Sequence, residues 1–121
     1  NRSEQAVSFF EKSDEIFTSE MAAVECQAGI ARDGAEVGQN LNLILTGLER
    51  VSIDSKILGM SHFLVKQYRA SHALRSADAI HIATAQMLML VFKNKPIEFL
   101  TSDRRQYAVA TAQGLVSHLV E

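Results

Sequence analysis

The stretch Leu74-Arg75-Ser76-Ala77-Asp78-Ala79-Ile80-His81-Ile82-Ala83-Thr84-Ala85, running on through Gln86 into Met87-Leu88-Met89-Leu90-Val91-Phe92, is the centre of this sequence. It holds no Gly or Pro, which predicts a helix over 74–92, long enough to cross a small domain. Ile80, Ala83 and Met87 make one apolar stripe along it, and Ile82, Ala85 and Met89 a second. A helix apolar on most of its circumference is a buried one. Yet its opening turn carries Asp78, with His81 three residues on along the same side. A carboxylate in the wall of a core costs free energy unless a cation or hydrogen-bond donors meet it. That conflict between packing and charge points to function.

Strand and helix patterns alternate on both sides of this helix. Asn1 to about Lys12 suits a helix with Ala6, Val7, Phe9 and Phe10 on its apolar face. Glu15-Ile16-Phe17-Thr18 is a short β-rich run, expected to be a buried strand. Ser19 can cap the next helix, with Glu20 in its first turn, and Asp33-Gly34 ends it. Ala35 to Leu48 predicts a second helix packed against it as a hairpin. Val51-Ser52-Ile53 is expected as a strand, and Asp54 or Ser55 as the cap of a helix to about Ser71. Ile57, Leu58, Phe63, Leu64 and Tyr68 are its expected core side. After the central helix, Lys93-Asn94-Lys95-Pro96 makes a turn into the strand Ile97–Thr101. Asp103 can then cap a helix from Arg104 to about Gln113, Gly114 ends it, and Leu115 to Val120 supplies a last strand. Such alternation predicts an α/β fold with a mainly parallel sheet, whose site lies beyond the carboxyl ends of the strands.

The 121 residues make one domain with room for a hydrophobic core. A single cysteine, Cys26, cannot form an internal disulfide, which suits a reducing cytoplasm. The longest uninterrupted apolar run, Met87 to Phe92, is too short to span a bilayer, and no signal peptide is evident. The net charge of −2 conceals an asymmetry: residues 1–55 carry −6 and residues 56–105 carry +5. A basic middle segment is compatible with a polyanion such as nucleic acid. No Walker loop, GxGxxG, GxSxG or HExxH pattern occurs.

Three acids stand at similar places relative to their elements. Glu25 lies two turns into the helix after strand Ile16–Thr18, Asp78 in the first turn of the central helix, and Asp103 directly after strand Ile97–Thr101. All three can project to one edge of the sheet, where carboxylate oxygens suit a hard divalent cation. Each also has an ordinary role open to it. Asp78 can complement the helix dipole, Asp103 can act only as an N-cap, and Glu25 can be a solvated surface residue. Glu25 has only Met21, Ala22, Ala28 and Gly29 at helical spacing, none able to pair with it. His81 is expected to be a packed, hydrogen-bonded histidine that positions Asp78 or a backbone group, and Cys26 a small core residue. Thr101 and Ser102 flank Asp103 as turn-builders or ligand-supporting hydroxyls. Arg75, Arg104 and Arg105, with Lys66, are candidate phosphate contacts or solvated surface.

These motifs resemble the PIN-domain ribonucleases, particularly the VapC toxin branch of bacterial toxin–antitoxin pairs. The resemblance rests on Thr18-Ser19-Glu20-Met21-Ala22-Ala23-Val24-Glu25, on Arg75-Ser76-Ala77-Asp78-Ala79-Ile80-His81-Ile82-Ala83-Thr84-Ala85, on Phe99-Leu100-Thr101-Ser102-Asp103, and on the closing Gly114-Leu115. It implies a twisted parallel sheet flanked by helices, and catalytic metal-site acids at Glu25, Asp78 and Asp103 with Thr101 or Ser102 in support. It also implies RNA held by residues such as Arg75, Arg104 and Arg105, Mg²⁺ or Mn²⁺ as cofactor, a homodimer and an antitoxin partner.

Members of that family begin with a strand ending in an Asp, ahead of the first helix, and no residue of this chain matches it. By resemblance that strand would be central, between the strands at Ile16–Thr18 and Ile97–Thr101, and the expectation is an N-terminal piece beyond this sequence. Direct pairing of those two strands would reject it. Two rivals to metal-dependent RNA hydrolysis follow: a catalytically weak or inactive RNA- or protein-binding module of the same fold, and a helical interaction domain whose three acids point to unrelated places.

Overall fold

The computed structural model describes residues 2–13, 15–33 and 48–121. In chain order these form α1 (Arg2–Lys12), β1 (Phe17–Ser19), α2 (Met21–Asp33), β2 (Glu49–Val51) and α3 (Ser55–His72), followed by α4 (Ser76–Val91), β3 (Glu98–Thr101), α5 (Arg104–Ala112) and β4 (Val116–Leu119). The expected helix over Ala35–Leu48, and with it the hairpin, falls almost wholly outside the described residues.

Both strand pairs are parallel, as the alternating pattern requires. β1 lies beside β2 with Phe17 opposite Glu49 and Ser19 opposite Val51. β3 lies beside β4 with Glu98 opposite Val116 and Thr101 opposite Leu119. Among the described residues β1 and β3 share no ladder, so the strands form two separate two-stranded sheets. A cleft of about 970 Å³ is lined by residues of both β1 and β3, with Leu88 of α4, Phe92 just past its end and Phe9 of α1.

The helix α4 is the centre of the packing, as its composition demands. It packs along α3 and also touches α2, α5, β1 and β3. Ala79, Ile80, Ile82, Ala83 and Ala85 are buried, and Thr84 joins them because its hydroxyl is satisfied by the Ile80 carbonyl at 2.7 Å. Ile57, Leu64 and Tyr68 of α3, Leu74, Val109 and Ala110 of α5, and Leu115 complete this core. A polar tie reinforces it: Gln86 donates to Gln113 at 2.9 Å, and Gln113 donates to the Tyr68 hydroxyl at 2.7 Å.

Four expectations need correction. β2 runs over Glu49–Val51, two residues earlier than predicted, because Glu49 N–H pairs with the Ile16 carbonyl and sets the register. Leu58 and Phe63 face solvent, while Ser61 lies on the buried side with Ile57 and Leu64. Ser61 fits there because its hydroxyl donates to the Ile57 carbonyl at 2.7 Å. Met89 is exposed with Leu90 and Val91, since the last turn of α4 runs out beyond the core. Ser19 is the last residue of β1, yet its hydroxyl still accepts from Met21 N–H at 3.1 Å.

Helix ends follow the sequence signals. Asp54 accepts from Ile57 N–H at 2.9 Å at the start of α3. Asp103 accepts from the N–H groups of Arg105 and Gln106 at the start of α5. Gly114, at φ +84°, supplies the left-handed residue that turns α5 into β4. α3 closes instead on Ala73 at φ 52°, a strained choice for a residue with a Cβ. α1 is held to the far sheet by Glu121 N–H, which donates to Gln5 Oε1 at 3.0 Å, and by the Phe9 ring, 4.9 Å from that of His118.

Candidate active site

Ser19 and Thr101 close β1 and β3, are both buried, and lead directly into α2 and α5. The chemistry gathers there, at the carboxyl ends of the strands.

Asp78 is only 2% exposed and lies in the first turn of α4. Its Oδ2 accepts from the backbone N–H of Arg75 at 3.0 Å and lies 3.4 Å from the Arg75 Nε. Its Oδ1 accepts from the Gln106 amide at 2.9 Å. Burial pushes this carboxyl up. The Gln106 amide, the Arg75 N–H and the Arg75 charge together outweigh burial and hold it below the usual carboxylate range. The buried acid is therefore a stable anion.

Asp103 uses Oδ1 to cap α5, at 2.8 Å from Arg105 N and 3.2 Å from Gln106 N. Its Oδ2 lies 3.9 Å from the same Arg75 guanidinium that meets Asp78. Two acids 25 positions apart in the chain thus share one cation. Thr101 adds a second link: its hydroxyl accepts from Asp103 N–H at 3.1 Å and donates to Gln106 Oε1 at 2.8 Å. Backbone, hydroxyl and amide form one relay from the end of β3 to Asp78.

Glu25 stands on the other wall of the site. Its Oε1 is paired with Nε2 of His81, one helical turn beyond Asp78 on α4. His81 is hydrogen-bonded as expected, but its partner is Glu25 and not Asp78 or a backbone group; the sequence could not show that α2 meets α4 at this point. Glu25, His81, Thr101, Ser102, Asp103 and Gln106 all line the large cleft. Among the described residues no three His, Cys, Asp or Glu side chains form a ready metal cage. The donor set nonetheless fits a divalent ion in kind, since its oxygens are hard and two of its carboxylates already turn to a common positive charge.

The remaining candidates divide. Arg105 is exposed, whereas Arg104 pairs with Glu121 at 2.7 Å. Ser102 is exposed on the cleft and Thr101 is buried behind it. Cys26 also lines the cleft, where burial first and the Glu25 charge second push its thiol up against the opposing pull of Arg50, which disfavours a thiolate nucleophile. Gln106 escaped the sequence reading altogether. The only signal for it was its place three residues into a helix capped by Asp103.

The sequence profile of the PIN domain family matches residues 1–112, and PIN domains are generally nucleases. No curated protein and no solved structure gives a significant match.

Proposed function

The chain belongs to the PIN-domain family, and from that premise we propose that it is a divalent-metal-dependent endoribonuclease acting as the toxin of a toxin–antitoxin pair. The observation that carries this reading is the sharing of Arg75 by Asp78 and Asp103, at the edge of a cleft that Glu25 also lines. In the proposal Glu25, Asp78 and Asp103 are the acids that hold Mg²⁺ or Mn²⁺. When bound, such an ion supplies positive charge to the scissile phosphate and acidifies an attacking water.

The chain's own residues do the rest. Gln106 and the Arg75 N–H keep Asp78 ionised and fixed in direction. The cap of α5 fixes Asp103, and Thr101 braces the turn between them, with Ser102 at the cleft surface. Arg75, Arg104 and Arg105 are the proposed contacts for an RNA backbone, Arg75 and Arg104 once released from the acids they now meet. The same reading calls for one more parallel strand, carrying a further acid, in the cleft between β1 and β3; it is supported by the lack, among the described residues, of a ladder between those strands.

The toxin assignment carries further proposals: an antitoxin partner, a homodimer and a cytoplasmic setting. Exposed Leu58, Phe63 and Leu90, with a shallow groove between α3 and α4 lined by Met60, Phe63 and Met87, support a protein partner. Among the described residues no helix is long and apolar enough to cross a membrane.

Cleavage of single-stranded RNA in Mn²⁺ tests the central claim. Asp78→Asn and Asp103→Asn should each lower the rate by about 100-fold or more, as loss of a group that stabilises charge in the transition state does, and EDTA should stop the wild type. Wild-type turnover by either variant would sink the reading. The alternative, a PIN-like RNA- or protein-binding module without cleavage, is favoured by one observation, the engagement of Glu25 with His81. It predicts RNA binding that neither EDTA nor these variants weaken.

A further inference from the structure

Arg75 lies where a phosphate contact was expected, but its surroundings are anionic. Each acid beside it anchors one oxygen elsewhere. Asp78 Oδ1 takes the Gln106 amide at 2.9 Å, and Asp103 Oδ1 takes Arg105 N–H at 2.8 Å and Gln106 N–H at 3.2 Å. The other oxygen of each, Oδ2, turns to the Arg75 guanidinium, at 3.4 Å for Asp78, where it also accepts from the Arg75 backbone N–H, and at 3.9 Å for Asp103. Neither contact is the short fork, about 2.7–2.9 Å, that a guanidinium makes with a carboxylate when the pair is built for strength. The Arg75 side chain is also 63% exposed, against 3% for Asp78 and 31% for Asp103. A long, loosely held, solvent-facing cation can leave without disturbing the core.

We propose that Arg75 is the resident counter-cation of this acid pair, neutralising Asp78 and Asp103 when no divalent ion is bound and competing with that ion for the same two oxygens. The proposal rests on the metal-nuclease reading above and adds a control on it. A divalent cation must displace the guanidinium, and the displaced side chain is then free to meet an RNA phosphate. Metal affinity is thereby held below what the two carboxylates alone would give.

Arg75→Met separates this from a structural role. It keeps an unbranched stem and the backbone N–H that donates to Asp78 at 3.0 Å, and removes the guanidinium with its charge and donors. Isothermal calorimetry with MnCl₂ and no RNA, on wild type, Arg75→Met and Asp103→Asn, reads the competition directly. Arg75→Met should bind Mn²⁺ about tenfold more tightly, some 1.4 kcal/mol, and Asp103→Asn should lose binding. In EDTA, Arg75→Met should melt below the wild type, and Mn²⁺ should raise its melting temperature by more. Unchanged or weaker Mn²⁺ affinity in Arg75→Met, with Asp103→Asn still losing binding, overturns the Arg75 proposal and leaves the nuclease reading intact. No Mn²⁺ binding by wild type and Arg75→Met alike overturns both.

Discussion

Gln106 donates its side-chain amide to Oδ1 of Asp78 at 2.9 Å, tying α5 to the buried acid of α4. The same amide accepts from the Thr101 hydroxyl at 2.8 Å, so its orientation is fixed from both ends. Replacing it with leucine leaves a buried carboxylate oxygen without its donor, which costs about 1–3 kcal/mol. Gln106→Leu should therefore unfold at lower urea than the wild type, by a shift of that size. Gln106→Glu, which sets a second carboxylate against Asp78, should be at least as destabilised at neutral pH.

Acid should weaken the fold through Asp78. Its folded carboxyl is held below the ordinary range although burial alone would raise it, so above about pH 4, where the unfolded group is already ionised, its contribution to stability is complete. As pH falls through the lowered folded value, that contribution is lost. Asp78→Asn should be less stable than the wild type at neutral pH, and its stability should fall less steeply as pH drops below about 4. Urea midpoints measured across that range give the difference.

Asp103 has two jobs that substitution can separate. Asparagine caps a helix about as well as aspartate, whereas alanine forfeits roughly 1 kcal/mol. Asp103→Asn should leave the urea midpoint nearly unmoved and Asp103→Ala should lower it, while both abolish RNA cleavage. A cleavage loss confined to the alanine variant would reduce Asp103 to a cap.

Neighbours on α3 should respond oppositely. Leu64 is 1% exposed and Phe63 is 61% exposed. Leu64→Ala should cost about 2–5 kcal/mol by opening a cavity, whereas Phe63→Ala should change stability by less than about 0.5 kcal/mol. Thermal melts distinguish the pair without ambiguity.

Much of this was legible in the chain. The unbroken run from Leu74 to Phe92 identified the central helix, and the β-rich runs ending at Thr18 and Thr101 located the strands that lead into α2 and α5. Caps at Asp54 and Asp103 were readable because an N-cap is a local bargain between one side chain and the next turn. What escaped notice depended on distant neighbours. Phe63 looks like a core residue by composition, but the face it occupies is decided by how α3 meets α4. Ser61 looks like a surface residue, yet a hydroxyl that bonds its own helix can be buried at little cost. The partners of Glu25, His81 and Gln106 come from other helices, and no spacing rule within one element reveals them. Register was the other blind spot, since β2 is positioned by backbone bonds to distant residues, Glu49 N–H to the Ile16 carbonyl and Glu20 N–H to the Val51 carbonyl among them.

The distribution of the core has a consequence for how the acids are kept. Every fully buried apolar side chain among the described residues lies at Ile57 or beyond, while the described apolar side chains of α1, β1 and α2 are at most half-buried, as Met21 is. The amino-terminal layer should be the first to open in native-state hydrogen exchange, with the α4 amides among the slowest. Asp78 and Asp103 then ride on the slow-exchanging block, whereas Glu25 belongs to the layer that detaches. If the three acids act together as proposed, sub-global opening would remove one of them and silence the cleft while most of the molecule stays folded.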